Sequence, residues 1–469
     1  MTRYFLAALL ALVAAPADAQ KFLVRNVTVI DLEGDRGLAG QDVRISDGKV
    51  VSISPHDDAE LADESHVIDG TGRYLMPALI DSHVHVLSAF NDGPVSSTDV
   101  TGQLLPRYLG YGIVGLRDTG TALSELPRLR SLIERAPHAP ALIAAGPVID
   151  GARNQWTKDV AVNAPDAATA TAVANQLADA GVDFLKVYDN LPPDAHAAIG
   201  AVARERGLPL AGHMIFGLTP DAAIANGQRF FEHVYVNIVD DCSDNPADAR
   251  LQVLQAWFSG WGAKLDKNRQ FLAARDTKAC DVLFGRWAEA GVAITPMLTM
   301  ELPTNRVALP TGRLAVHRRA MDGCSRSLAG ANAIDPVVAE AATGELFEVV
   351  RQLHDAGVAI LAGSDNGGDC RADGYALHRE LQLLVEAGLS PRDALASATR
   401  VPAQRLGFED LGHLAPGAAA ELLLLDGNPL VDVANTLLIA GLFHDGAFHD
   451  AATLAGWRHG DPAAPQPSE

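Results

Sequence analysis

The pattern of apolar and polar positions divides the chain into two textures. From Phe22 to about Tyr74, short runs alternate in FLVRNVTVIDLEG, QDVRISDGKVVSI and HVIDGTGRYLMP, separated by glycine-bearing turns. Period-two alternation over a few residues predicts small antiparallel strands. The C-terminal stretch repeats the style in ELLLLDGNPL (Glu421–Leu430) and TLLIAGLFHDGAF (Thr436–Phe448), ahead of a polar tail at 461–469. Neither end carries enough strands to close a sheet alone. Residues 20–75 and 412–460 are therefore expected to combine into one small β-sandwich domain.

Between these ends, over 76–411, strands alternate with helices. ADAGVDFLK, RERGLPLAGH, IANGQRFFEH, AEAGVAITP and HDAGVAILAGSD share one grammar. In each, a helix stops at a glycine suited to a left-handed C′ position, and a buried strand follows within two residues. Thr219-Pro220-Asp221 and Ser390-Pro391-Arg392-Asp393 read as helix starts: a cap, Pro at N1, then an acid in the first turn. Eight strand-like runs follow, at 78–86, 112–120, 141–149, 184–189, 209–214, 229–234, 293–300 and 359–366, each with room for a helix after it. That is the count of an α/β (β/α)8 TIM barrel. A doubly wound open sheet is the competing answer, but it calls for a glycine-rich phosphate loop after the first strand, where DSHVHV offers histidine. Asn237–Cys280 and Glu301–Gly344 exceed ordinary loops and fall on the side of a barrel that holds active sites, which makes them lid or specificity segments.

Composition narrows the field. The 469 residues are 48% hydrophobic and 20% charged, a globular balance, and 37 Lys plus Arg against 58 Asp plus Glu leave a net charge of −21. So acidic a chain, without a Lys/Arg run, argues against nucleic acid or an anionic membrane as a partner. A small-molecule substrate remains, and a homo-oligomer stays open. Arg3, an apolar stretch from Phe5 to Ala15 and the small-x-small triplet Ala17-Asp18-Ala19 read as a secretory signal over 1–19. The apolar stretch is about half the ~20 residues of a membrane span, so cleavage and export to the periplasm or medium is the expectation. In an oxidising compartment the four cysteines, Cys242, Cys280, Cys324 and Cys370, can pair; Cys242 and Cys280 bracket the insert after strand six.

The chemistry collects where polar residues interrupt apolar strands. His83 and His85 end strand one, with i, i+2 spacing that puts both imidazoles on one face. Lys186 sits in strand four, His213 ends strand five, His233 ends strand six and Asp365 ends strand eight. All fall at carboxyl ends of strands, where barrels place their active sites. Four imidazoles and a carboxylate are donors that suit zinc. Lys186 is odd, since an ammonium in an apolar strand is costly to bury unless it pairs with Asp365 or Asp118.

LMPALIDSHVH, the KVYD lysine, GHM, FEH and AGSD, in that order, resemble the metal-dependent amidohydrolase superfamily. LHRELQLLVEAGLSPRDALASATRVPAQRLG with LGHLAPGAAAELLLLDGNPL is similar to the closing segment of its imidazolonepropionase-like and prolidase-like branch. The resemblance covers essentially the whole mature chain and implies two divalent metal ions, zinc first among them. His83, His85 and Asp365 would hold one. His213 and His233 would hold the other, with Lys186 carboxylated by CO2 as the bridge. The resemblance further implies attack by a metal-bridging hydroxide, with Asp365 as general base, on amide bonds of dipeptides (Xaa-Pro dipeptides among them) or N-acyl amino acids. Two departures are Ala78, where relatives have glycine, and AAAELLLLD, where relatives usually carry a lysine and an aspartate. Lactones or phosphotriesters on the same metals, mononuclear deaminase-type chemistry and a non-catalytic metal-binding barrel are the alternatives. Tyr188, two positions after Lys186, and Arg153, in GARNQW, are candidate substrate contacts. His378 falls near the barrel mouth, with structural and catalytic roles both open, while His56, His66, His138, His444, His449 and His459 read as surface.

Overall fold

The computed structural model describes residues 20–32, 37–58, 66–87, 97–152, 160–234, 242, 261–302, 334–366 and 373–459. The expected leader, Arg153, Cys324, Cys370, most of both long inserts and the polar tail lie outside these described residues.

The chain starts with β1 (Lys21–Ile30), β2 (Gly37–Ser46), β3 (Lys49–Pro55), β4 (His66–Asp69) and β5 (Tyr74–Pro77). The alternation in β1 slips at Asn26, whose φ of 52° is met by a bulge in the β1–β2 register and by the Asp42 carboxylate accepting from the Asn26 amide at 2.9 Å. The last strands, β16 (Leu422–Leu425), β17 (Ile439–His444) and β18 (Ala447–Asp450), join them in one eight-stranded sheet, ordered β18-β17-β16-β5-β1-β2-β3 with β4 on β1. The sheet folds over on itself: the Val50 amide donates to Ala418 O, and the Ala420 amide to Gly48 O. Phe22, Val24, Val43, Ile45, Leu75, Leu422, Leu424 and Phe443 fill the fold. Both chain ends thus build a single small domain, as the alternating patterns predict.

The intervening chain supplies β6 (Leu79–Val84), β7 (Ile113–Asp118), β8 (Ala141–Ala144), β9 (Val148–Asp150), β10 (Ala161–Asn163), β11 (Leu185–Val187), β12 (Leu210–Gly212), β13 (Gln228–Glu232), β14 (Ala293–Thr295) and β15 (Ala359–Ile360). All their pairings are parallel, in two sheets ordered β6-β7-β8 and β10-β9-β11-β12-β13-β14-β15. The eight predicted runs are all present, the third split into β8 and β9. Individual backbone hydrogen bonds bridge the two sheets: Ser82 N to Ala362 O and Asp365 N to His83 O on one side, Asp183 N to Ala144 O on the other. Run eight is laddered only over β15, and residues 361–366 carry these single bonds instead.

The predicted punctuation is visible in the backbone. Gly181, Gly207, Gly291 and Gly357 all have positive φ. Thr219 and Ser390 accept from the amides of Ala222 and Asp393 as N-caps. Outer helices cover the strands; Phe231 of β13, for example, stacks on Trp287 of the helix Thr277–Glu289 at 5.2 Å between ring centroids. Cys242 and Cys280 are joined in a disulfide that ties the insert after β13 to that helix. Among the described residues, no helix is long and apolar enough to cross a membrane.

Candidate metal centre

Six side chains meet where the strands end. His83 lies in β6 and His85 just beyond it; Lys186 is the middle residue of β11; His213 and His233 directly follow β12 and β13; Asp365 lies five residues past β15. All are buried, none more than 7% exposed. Asp365 Oδ1 is 3.2 Å from His85 Nε2 and 3.6 Å from His83 Nε2, and Lys186 Nζ is 3.4 Å from His83 Nε2. The ring centroids of His83 and His233 are 5.7 Å apart, and those of His213 and His233 are 4.8 Å apart. His83, His85 and Asp365 each offer a donor atom within 4.8 Å of the others.

The backbone is bent to achieve this. His233 (φ 68°) and Asp365 (φ 47°) sit in the left-handed region, a conformation that costs of order 1–3 kcal/mol for a non-glycine residue and concentrates at functional sites. Gly212, at φ 134°, lets β12 press against β11; a Cβ there would lie 2.1 Å from Val187 O. That close approach brings the His213 amide to Val187 O and sets the imidazole beside the lysine strand.

Each imidazole is held from behind through Nδ1. His83 Nδ1 donates to Glu232 Oε2 (2.8 Å), His213 Nδ1 to Asp189 Oδ1 (2.8 Å), His233 Nδ1 to Glu301 Oε1 (3.0 Å) and His85 Nδ1 to Gly120 O (3.4 Å). Glu232 is shared with Arg117, whose Nη1 donates to Oε1 at 2.8 Å and whose guanidinium lies 4.4 Å over the Phe184 ring. Asp81 clasps run eight to β6: it accepts from the Ser364 and His83 amides and from Ser364 Oγ. Burial and the Lys186 ammonium push the His83 imidazole down to about 3, and burial together with His213 holds His233 well below its ordinary range. Burial lowers Lys186 to about 8, against the pull of Glu232 and Asp365.

This donor set fits divalent metal. A metal-ligating histidine must be neutral, with one ring nitrogen donating to a fixed acceptor and the other carrying the lone pair. The Nδ1 contacts set that tautomer for all four histidines, and burial keeps His83 and His233 uncharged. Lys186 Nζ meets a ligand-type nitrogen, His83 Nε2.

Tyr188 is buried with its ring 4.0 Å from that of His213, packed on Val148 and Ala161. His378 is structural: its ring nitrogens contact Thr436 Oγ1 and Tyr111 O, both at under 3 Å. Two histidines read as surface are not. His444 and His449 are buried between the small domain and the barrel, His444 bonded to Glu421 and to Ala139 O, and His449 packed on His138 and Trp457. Local alternation does not register interdomain packing, so it could not place them. Glu232, Asp189, Glu301 and Arg117 escaped the sequence reading. A charged residue inside an otherwise apolar run (FFEH, KVYD, GLRD) is the signal that marks three of them.

Parallel strands with a buried histidine, carboxylate and lysine cluster at their carboxyl ends make a TIM-barrel-like fold with a candidate metal site. The chain belongs to the amidohydrolase family, whose sequence profile matches residues 74–450. It is 26% identical over 420 residues to the imidazolonepropionase of Anaeromyxobacter dehalogenans, covering 86% of this chain and 89% of that one. With the adenine deaminase of Paracoccus denitrificans it shares 26% identity over 152 residues, 29% of this chain and only 24% of that relative's length. A putative prolidase from Bifidobacterium longum superposes with a TM-score of 0.64 at 23% identity, covering 92% of this chain and 94% of the other.

Proposed function

We propose that this protein is a binuclear metal-dependent hydrolase that cleaves amide bonds of dipeptides or N-acyl amino acids. The observation that carries the binuclear reading is Lys186 Nζ, 3.4 Å from His83 Nε2, inside a ring of histidines whose Nδ1 atoms are all occupied. His83, His85 and Asp365 would hold one ion, His213 and His233 the other. Carboxylation would turn Lys186 into the anionic bridge: its nitrogen bonds to CO2 carbon and gives up a proton. Burial, which lowers the amine's proton affinity, favours the free base that this reaction consumes.

When bound, such ions lower the pKa of water and polarise a scissile carbonyl. Asp365, whose amide donates to His83 O, would take the proton of the attacking water and deliver it to the leaving nitrogen. Without that transfer an amine is a poor leaving group. The Nδ1 partners keep the imidazoles aimed while charge moves. The prolidase-like structures and the imidazolonepropionase relative support amide-type substrates. A free substrate carboxylate is the second anchor that orients the bond, and Arg153 and Tyr188 are its candidate partners. Export is part of this proposal, on the leader-like pattern of residues 1–19.

Metal analysis of purified protein is expected to give about two ions per chain. Turnover is expected on N-acyl amino acids or Xaa-Pro dipeptides, and masking the carboxylate as an amide is expected to lower it at least tenfold. One ion per chain, or fastest turnover on lactones or phosphotriesters, overturns this reading.

A further inference from the structure

A buried carboxylate outside the six-residue cluster has no assigned task. Glu380, on the helix Tyr375–Glu386, is fully buried, and no Lys or Arg pairs with it among the described residues. Both its oxygens go to backbone: Oε1 accepts from the Leu298 amide at 2.9 Å and Oε2 from the Thr299 amide at 2.8 Å. Those amides open the one-turn helix Leu298–Glu301, entered from Met297 in the left-handed region (φ 54°, ψ 49°) and lacking a side-chain cap of its own. The first N–H groups of a helix have no partner within it, so this turn depends on an external acceptor. Its last residue is Glu301, which accepts from His233 Nδ1.

The helix that carries Glu380 is itself fixed from outside. His378, two residues earlier, contacts Tyr111 O and Thr436 Oγ1, so one helix touches both the barrel wall and the segment leading to β17. Burying an uncompensated carboxylate is costly. Here burial raises the carboxyl to about 7 and the two amides pull against that rise; their alignment sets where the next turn ends.

We propose that Glu380 is a positioning residue for the metal centre: by holding the Leu298 and Thr299 amides it fixes the turn that carries Glu301, and through Glu301 it aims His233. The inference rests on the reading above in taking His233 as a metal ligand.

The test uses the full chain as Glu380→Ala, Glu380→Gln, Glu301→Ala and the Ala/Ala double variant. Hydrogen exchange of the metal-free proteins is followed in peptides covering 296–302 and 228–234, and Co2+ is titrated into each. Glu380→Ala should speed exchange in both peptides at least tenfold. It should also weaken the second Co2+ equivalent by about 10–100-fold, the usual cost of losing an outer-shell partner, while the first equivalent stays within about threefold. Glu380→Gln should fall between, since an amide keeps one acceptor and turns a donor on the other N–H. Glu301→Ala should weaken the second equivalent while leaving exchange at 298 and 299 near wild type. The double variant should bind no more weakly than Glu301→Ala, because a residue acting through another adds nothing once that other is gone. Unchanged exchange in 228–234, or an additive loss in the double variant, overturns the proposal. If Glu380→Ala does not fold, wild-type exchange in Glu380→Gln overturns it equally. Should the wild type take up one Co2+ only, the binuclear reading fails, and the exchange comparison still decides whether Glu380 braces His233.

Discussion

Replacing Arg117 with methionine tests how the centre is held together. The guanidinium donates to Glu232 and to Ser82 O, and both it and the carboxylate are almost wholly buried. Burial opposes ionisation of Glu232, but Arg117 first, then His83 and Lys186, outweigh it and hold the carboxyl well below the ordinary range. Methionine keeps an apolar stem but removes the charge and the guanidinium over Phe184, leaving Glu232 buried without its main counterion. Breaking one side of a buried pair costs about 3–5 kcal/mol, two to three and a half orders of magnitude in the folding equilibrium. Removing both charges, as Arg117→Met with Glu232→Gln, is expected to cost less than Arg117→Met alone. The assay is equilibrium urea unfolding of the metal-free protein, read by tryptophan fluorescence, since Trp287 stacks on Phe231 of β13. The pH dependence has a definite sign. A depressed carboxyl contributes stability that is present above its unfolded value of about 4.5 and is lost as pH falls through the folded value. The wild-type advantage over Arg117→Met should therefore shrink as pH falls, because the stranded Glu232 of the variant takes up a proton first. A variant within about 1 kcal/mol of wild type at pH 7.5, well short of the loss expected for a broken buried pair, would refute the reasoning. So would a double variant as unstable as the two single losses summed.

Lys186→Ala should remove the proposed bridge, lower metal content from about two ions to about one and abolish most activity, with partial rescue by short carboxylic acids. Near wild-type turnover with two ions bound would contradict the carboxylated bridge. Asp365→Asn should lower kcat by about 10²–10⁴, the usual worth of a positioned acid–base group; a drop below threefold would put the proton transfer elsewhere. His444 carries the third prediction. Burial opposes its charged form, but the Glu421 contact outweighs burial and raises its pKa above 6.5. A raised histidine contributes stability that is fully present below about 6.5 and lost as pH rises through the folded value. Thermal midpoints from pH 5.5 to 8.5 should fall more steeply for wild type than for Glu421→Gln, and equal slopes would refute the link.

Periodicity alone was enough for the barrel, because buried parallel strands and their covering helices each impose a local repeat. Left-handed glycines and proline-led caps mark the joints between them. The six side chains of the buried cluster were equally legible. His83, His85, Lys186, His213, His233 and Asp365 each interrupt an apolar run at the carboxyl end of a strand, a place where a polar side chain is costly without a task. What holds that cluster was not legible. Glu232 and Asp189 neighbour it in sequence, yet which imidazole each grips depends on strand pairing. Glu301 reaches it from a one-turn helix and Arg117 from β7, and Glu380 lies 147 residues after His233. The buried His444 and His449 belong to the same class, because they lie in β17 and β18 and meet His138 and Ala139, far earlier in the chain. Local sequence determines the period and polarity of each element, since those follow from neighbours a few residues away. Hydrogen bonds between residues far apart in sequence, and the burial that sets their strength, arise only when the elements are packed, and tertiary structure alone decided them.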